Sequence, residues 1–207
     1  FGQVLDGDLY GSTIQGHVKT YKENGRYKLD LEGNSKGPFS SILRLSNLNK
    51  IFEAKSNDRG EQNTDFSFSS PLVSDLNLLG NATELKLKTK IKDANFVNKK
   101  TRLDFTNLFS LIEYDSSNGV KDGFATLKIN NIPIKFDIKK GSEKGSFNTL
   151  LVAEDTFSFE KIFNSFAYGN EITGSSKFNI RLTLPSYIKG HSYIDPQIEV
   201  NSNLAGI

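Results

Sequence analysis

The chain has 207 residues, of which 36% are hydrophobic, and a formal net charge of +2. That length is ample for a buried core, mean hydropathy is -0.42, and no apolar run approaches the roughly 20 residues a membrane-crossing helix needs. So balanced a charge does not point to nucleic acid, and the lack of cysteine excludes disulfides and thiolate metal sites. Methionine is also absent and the chain starts at Phe1; it is therefore expected to be a piece of a longer protein, in which a missing leader says nothing of targeting.

The dominant period along the chain is two. In STIQGHVKTY (12–21), Ile14, Gly16, Val18 and Thr20 share one face, and Gln15, His17 and Lys19 share the other. Glu23-Asn24-Gly25 then reads as a turn into RYKLDLEG (26–33). PFSSILRLSNLNKIF (38–52) has three-to-four spacing behind Pro38, a residue suited to a first helical turn. DFSFSS (65–70) alternates again, and in ELKLKTKIK (84–92) Leu85, Leu87, Thr89 and Ile91 oppose Lys86, Lys88, Lys90 and Lys92. Turn signals follow at Ser117-Asn118-Gly119, Lys121-Asp122-Gly123 and Asn130-Asn131. NIPIKFDIK (131–139) places Ile132, Ile134, Phe136 and Ile138 together; GSFNTLLV (145–152) and KFNIRLTLP (177–185) read alike, and FSFEKIFNSF (157–166) reads as a second short helix. Alternate side chains of a strand face opposite ways, so each alternating segment predicts a strand with one apolar and one wet side. Connections this short favour antiparallel neighbours.

These elements recur. Sliding residues 9–27 onto 129–147 without a gap brings Ile14 onto Ile134, Val18 onto Ile138, Gly25 onto Gly145 and Tyr27 onto Phe147. Beyond an offset change, TDFSFSSP (64–71) matches FNIRLTLP (178–185) and LVSDLNLL (72–79) matches VNSNLAGI (200–207). The expected organisation is a first module over 1–119 and a second, incomplete one over 120–207, each stacking on its neighbours because neither can bury its apolar face alone.

Catalytic patterns are lacking. His17 and His191, the only histidines, lie in different modules without metal-ligand spacing. Asp6 and Asp8 supply half of a calcium loop at most. Glu154-Asp155 and the Asn81-Ala82-Thr83 acceptor triplet are of kinds common by chance, and the lysine ladder reads as a solvated outer face. No catalytic residue, metal or cofactor is expected. What remains is the apolar face, and periodicity alone does not separate a closed core from an open trough.

GVKDGFATLKINNIPIKFDI (119–138), preceded by DFTNLFSLIEYDSSN, resembles the recurrent segment of the AsmA-like YhdP proteins of Gram-negative bacteria. The shared order is a tyrosine strand (Tyr114), a glycine turn (Gly119), a strand (Ala125 to Ile129) and an Asn131-Ile132-Pro133-Ile134 step in which Asn131 replaces the usual Gly. The first copy keeps Gly11 but has Thr13 in place of proline. GSSKFNIRLTLP followed by VNSNLAGI resembles a further step of the family, with Phe178 where it has tryptophan. The resemblance implies a mainly β protein, a long curled antiparallel sheet forming an open half-pipe or repeating β-groove, with two short helices in crossing loops. It further implies a periplasmic body, tethered to the inner membrane through a helix of the parent protein, that conducts phospholipid towards the outer membrane. The expected partners are acyl chains and neighbouring modules of the same chain. The expected lining is Ile14, Val18, Tyr27, Leu29, Leu31, Leu85, Leu87, Ile91, Ile132, Ile134, Phe136, Ile138, Phe147 and Leu151. The alternative is a structural or adhesive β-repeat with a closed core; a carbohydrate-active role is disfavoured by the absence of tryptophan.

Overall fold

A computed structural model describes residues 2–45, 48–72, 84–143, 146–158, 174–185 and 197–203. It is mainly β: strands β1 (Gly2–Leu9), β2 (Ser12–Glu23), β3 (Arg26–Pro38), β4 (Phe52–Ala54), β5 (Glu61–Pro71), β6 (Glu84–Asn98), β7 (Asp104–Asp115), β8 (Gly119–Ile129), β9 (Ile132–Glu143), β10 (Ser146–Ser158), β11 (Ser175–Pro185) and β12 (Gln197–Asn203). They form one open antiparallel sheet in which each long strand pairs with the next in sequence, while short β4 adds to β6 beyond the end of β5. One short helix, α1 (Phe39–Leu45), and a single 3-10 turn at Leu48–Lys50 interrupt the run between β3 and β4. The second expected helix lies outside the described residues, except that Phe157 and Ser158 belong to β10.

Two of the hairpin turns have the residues their backbones favour, and the first holds Tyr10 in a left-handed conformation that bulky side chains rarely adopt. Tyr10-Gly11 and Asn24-Gly25 both take positive φ at the two central positions, as do Asn130-Asn131. Such turns match strand twist and favour asparagine and glycine. Lys121-Asp122-Gly123 is not the expected turn, for it lies within β8. There Glu113 faces Asp122 while Tyr114 faces Val120, so Lys121 is the extra residue of a bulge. A Cβ on Gly123 would sit 2.5 Å from the Leu111 carbonyl oxygen. Its glycine therefore serves close backbone approach rather than a chain reversal.

The pairing register repeats. Val18 lies opposite Leu31 and Ile138 opposite Leu151; Gly7 lies opposite Ile14 and Leu127 opposite Ile134. Leu31 then faces Phe68 as Leu151 faces Leu182, and Phe68 faces Leu85 as Leu182 faces Ile198. The pairings of β1 to β3, β5 and β6 thus share these register positions with the pairings of β8 to β12. Val200 faces Ile180 as Leu87 faces Phe66, while most of the expected match of 72–79 with 200–207 lies outside the described residues.

Candidate functional site

Residues directly opposite one another on antiparallel strands point to the same side of a sheet. Carried from strand to strand, this rule puts all the expected lining positions on one face. Ile14, Val18, Leu29, Leu31 and Tyr27 connect through β5 to Leu85, Leu87 and Ile91. Those connect through β7 and β8 to Ile132, Ile134, Phe136, Ile138 and Leu151. Phe147 occupies a position on the same face, opposite Ser142, but its side chain is outside the described ones. Most of the others are half-buried, Ile91 and Ile138 are buried, and Tyr27 is 59% exposed at the strand end. There the Lys22 ammonium lies 5.7 Å from its ring centroid, so Tyr27 belongs to a rim and not to a covered lining.

The face holds more than those residues. Phe66 and Phe68 of β5, Ile112 and Tyr114 of β7, Leu127 of β8 and Ile180 and Leu182 of β11 join it by register. Alternation in DFSFSS carried the signal for the first two. In β7 it is hidden, because Phe109 and Leu111 make the opposite side apolar too and because bulges reset the parity. One falls after Ile91, where Asp93 takes φ +52, and another on β7, where Asn107 takes φ +56. The Asn107 N–H donates to Asn95 Oδ1 at 3.1 Å, joining the two irregularities. Past the first, Ala94 and Phe96 take over the apolar side from Leu85, Leu87 and Ile91.

At that end the face is covered. Phe39, Ile42 and Leu43 form a stripe on α1 that meets Ile91, Ala94 and Phe96, with Phe52, Ala54, Phe105 and Leu108 around them. The Phe96 ring stacks on Phe105 at 4.8 Å, tilts against Phe39 at 5.4 Å and takes the edge contact of Phe52 at 5.4 Å. Polar groups lock the helix down beside this cluster. Ser12 Oγ donates to Ser41 Oγ at 2.6 Å, and buried Gln62 Nε2 donates to Ser12 Oγ and to Ser35 Oγ at 3.2 and 3.1 Å. Thr64 Oγ1 closes the network by donating to Gln62 Oε1 at 2.9 Å. Asp58 Oδ1 ties the crossing segment to β6, accepting from Gly60 N and from Asn95 N. α1 also meets β3, β4 and β5 at this end.

The opposite face carries charged side chains, several of them paired, around the apolar Phe109, Leu111 and Phe124. Lys88 lies 2.8 Å from Glu113 on the neighbouring strand, Lys177 pairs with Glu154, and Lys90 sits 5.8 Å from the Phe109 ring centroid. The hydrogen bond from Lys88, then its charge, holds the Glu113 carboxyl below the usual carboxylate range, and the same contact raises Lys88. A lowered acid adds stability above its unfolded value and loses it as pH falls through the folded one; a raised amine adds stability below its unfolded value and loses it as pH rises through the folded one. The pair is exposed, so its effect is small. Glu113→Gln is expected to be slightly less stable than the wild type at neutral pH and equally stable in acid, measured as thermal unfolding across pH.

Among the described residues no group of three His, Asp or Glu side chains could hold a metal ion. His17 stands exposed on the polar face and Asp8 accepts from the Gly11 N–H at 3.1 Å in its own turn. The arrangement can therefore sequester or bury apolar material. No known protein family matches the chain, and neither does any curated protein or solved structure compared with it.

Proposed function

We propose that this chain is a segment of a hydrophobic groove that binds phospholipid by its acyl chains and conducts it between the inner and outer membranes of a Gram-negative envelope. The observation that carries this reading is the continuous apolar face. It runs from Ile14 on β2 through Leu87 and Ile134 to Leu182 on β11. Each methylene removed from water contributes about 0.8 kcal/mol, so a whole acyl chain is held firmly in sum. Rows of similar residues, Val18–Leu31–Phe68 and Ile138–Leu151–Leu182, offer a guest nearly equivalent positions, which favours sliding over capture. On this reading the body lies in the periplasm, tethered by its parent protein, and modules of the same chain continue the face.

Photo-crosslinking side chains placed at Leu87 and Ile134, and at Lys88 and Lys135 as opposite-face partners, test this with monomeric lipid. Lipid adducts are expected at the first two positions and at neither lysine. The closed cluster under α1 favours a second reading, a structural or adhesive β-repeat whose whole apolar side is packed. Absence of adducts at Leu87 and Ile134 alike selects it.

A further inference from the structure

Exposed large apolar side chains concentrate at one end of the sheet. Leu9 and Tyr10 at the first hairpin turn, Leu45 at the end of α1, Leu48 and Ile51 around the 3-10 turn and Leu103 in the β6–β7 connection are each 38% to 51% exposed. Direct contacts join these segments into one rim, in which α1 also packs on the 3-10 turn. The Arg44 guanidinium lies 5.9 Å from the Tyr10 ring centroid, bridging α1 to the first turn. The Lys99 N–H donates to Ile51 O at 2.9 Å and its ammonium to Asn49 O at 2.7 Å, bridging the 3-10 turn to residues 98–103.

The same segments carry Arg44, Lys50, Lys99, Lys100 and Arg102, and residues 9–11, 44–45, 48–51 and 99–103 include no acid. The whole chain has a net charge of only +2, so this is a local concentration. Among the described residues no ion pair engages Arg44, Lys50, Lys100 or Arg102. Of the acids adjoining these segments, Asp104 pairs with Lys55 at 2.5 Å and Asp8 accepts the Gly11 N–H within the first turn.

We infer that this rim docks on an anionic lipid bilayer surface. Clustered cations are drawn to such a surface at about 1 kcal/mol each, and leucine, isoleucine and tyrosine side chains between them enter the headgroup boundary. Nucleic acid would engage the cations and leave the leucines and isoleucine without a partner. The inference uses residues outside the strand-borne apolar face and stands whether or not that face takes lipid.

The chain has no tryptophan, so Leu103→Trp supplies a single reporter on the rim. Its emission is expected to shift to the blue with vesicles of phosphatidylcholine and phosphatidylglycerol, and far less with phosphatidylcholine alone. Adding Lys50→Gln and Lys100→Gln is expected to weaken association about 30-fold, whereas Lys128→Gln with Lys139→Gln on the polar face leaves it unchanged. Ile51→Ser, which keeps every cation, is expected to reduce the blue shift. No shift with anionic vesicles overturns the inference, as does equal weakening by the polar-face pair. Tighter association with a single-stranded polynucleotide than with the vesicles overturns it in favour of nucleic acid.

Discussion

Phe96→Ala is expected to destabilise the protein by about 3–5 kcal/mol, the range for a buried aromatic truncated in a core that cannot collapse around the loss. Phe96 is 9% exposed and touches three other rings, one each from α1, β4 and β7. Removing it leaves Phe39, Phe52 and Phe105 facing a void and loosens the helix that covers this end of the sheet. Chemical denaturation with and without the substitution measures the loss. Phe109→Ala is the comparison: that ring lies on the wet face, half-buried, with Phe124 at 5.6 Å as its aromatic neighbour. Its truncation is expected to cost clearly less, and equal losses would show that the cluster under α1 is not the main core.

Gly33→Ala is expected to cost about 1–3 kcal/mol or more, the range for forcing extra volume into a packed site, although only one methyl group is added. Gly33 lies opposite Gly16 and beneath the Phe66 ring. A Cβ there would stand 2.3 Å from Gln15 O and 2.9 Å from Gly16 Cα, both backbone atoms, as well as 2.8 Å from the ring. Phe66 could turn away, but the backbone atoms of β2 could move only by breaking the β2–β3 ladder. Gly7→Ala is the control, because a Cβ on Gly7 meets nothing within 4 Å. Thermal unfolding of the two variants is expected to separate them widely. Similar melting points would mean that the two strands tolerate a wider spacing at Gly16.

The glycine pair shows how unevenly the fold is written in the chain. In STIQGHVKTY and RYKLDLEG the period of two names both strands, and Asn24-Gly25 names the turn between them. Nothing in either segment says that Gly16 and Gly33 meet, since that depends on register. The match at offset 120 is visible in the sequence because apolar residues recur at matching places, and Val18 meets Leu31 as Ile138 meets Leu151. Asp122-Gly123 misled for a physical reason: the dipeptide suits a tight turn and a bulge alike, and pairing with Glu113 selects the bulge.

Sequence by itself determined the material of this protein: alternating strands, polar loops, short connections, and hence an antiparallel sheet with one apolar side. Those follow from local rules of backbone geometry and side-chain direction. Tertiary structure alone decided where that side continues and where it is covered. Bulges at Asp93 and Asn107 change which residues face which way, and α1 closes one end through Phe39, Leu43 and the Gln62 network. Both depend on partners far apart in the chain, and no local period records a distant partner.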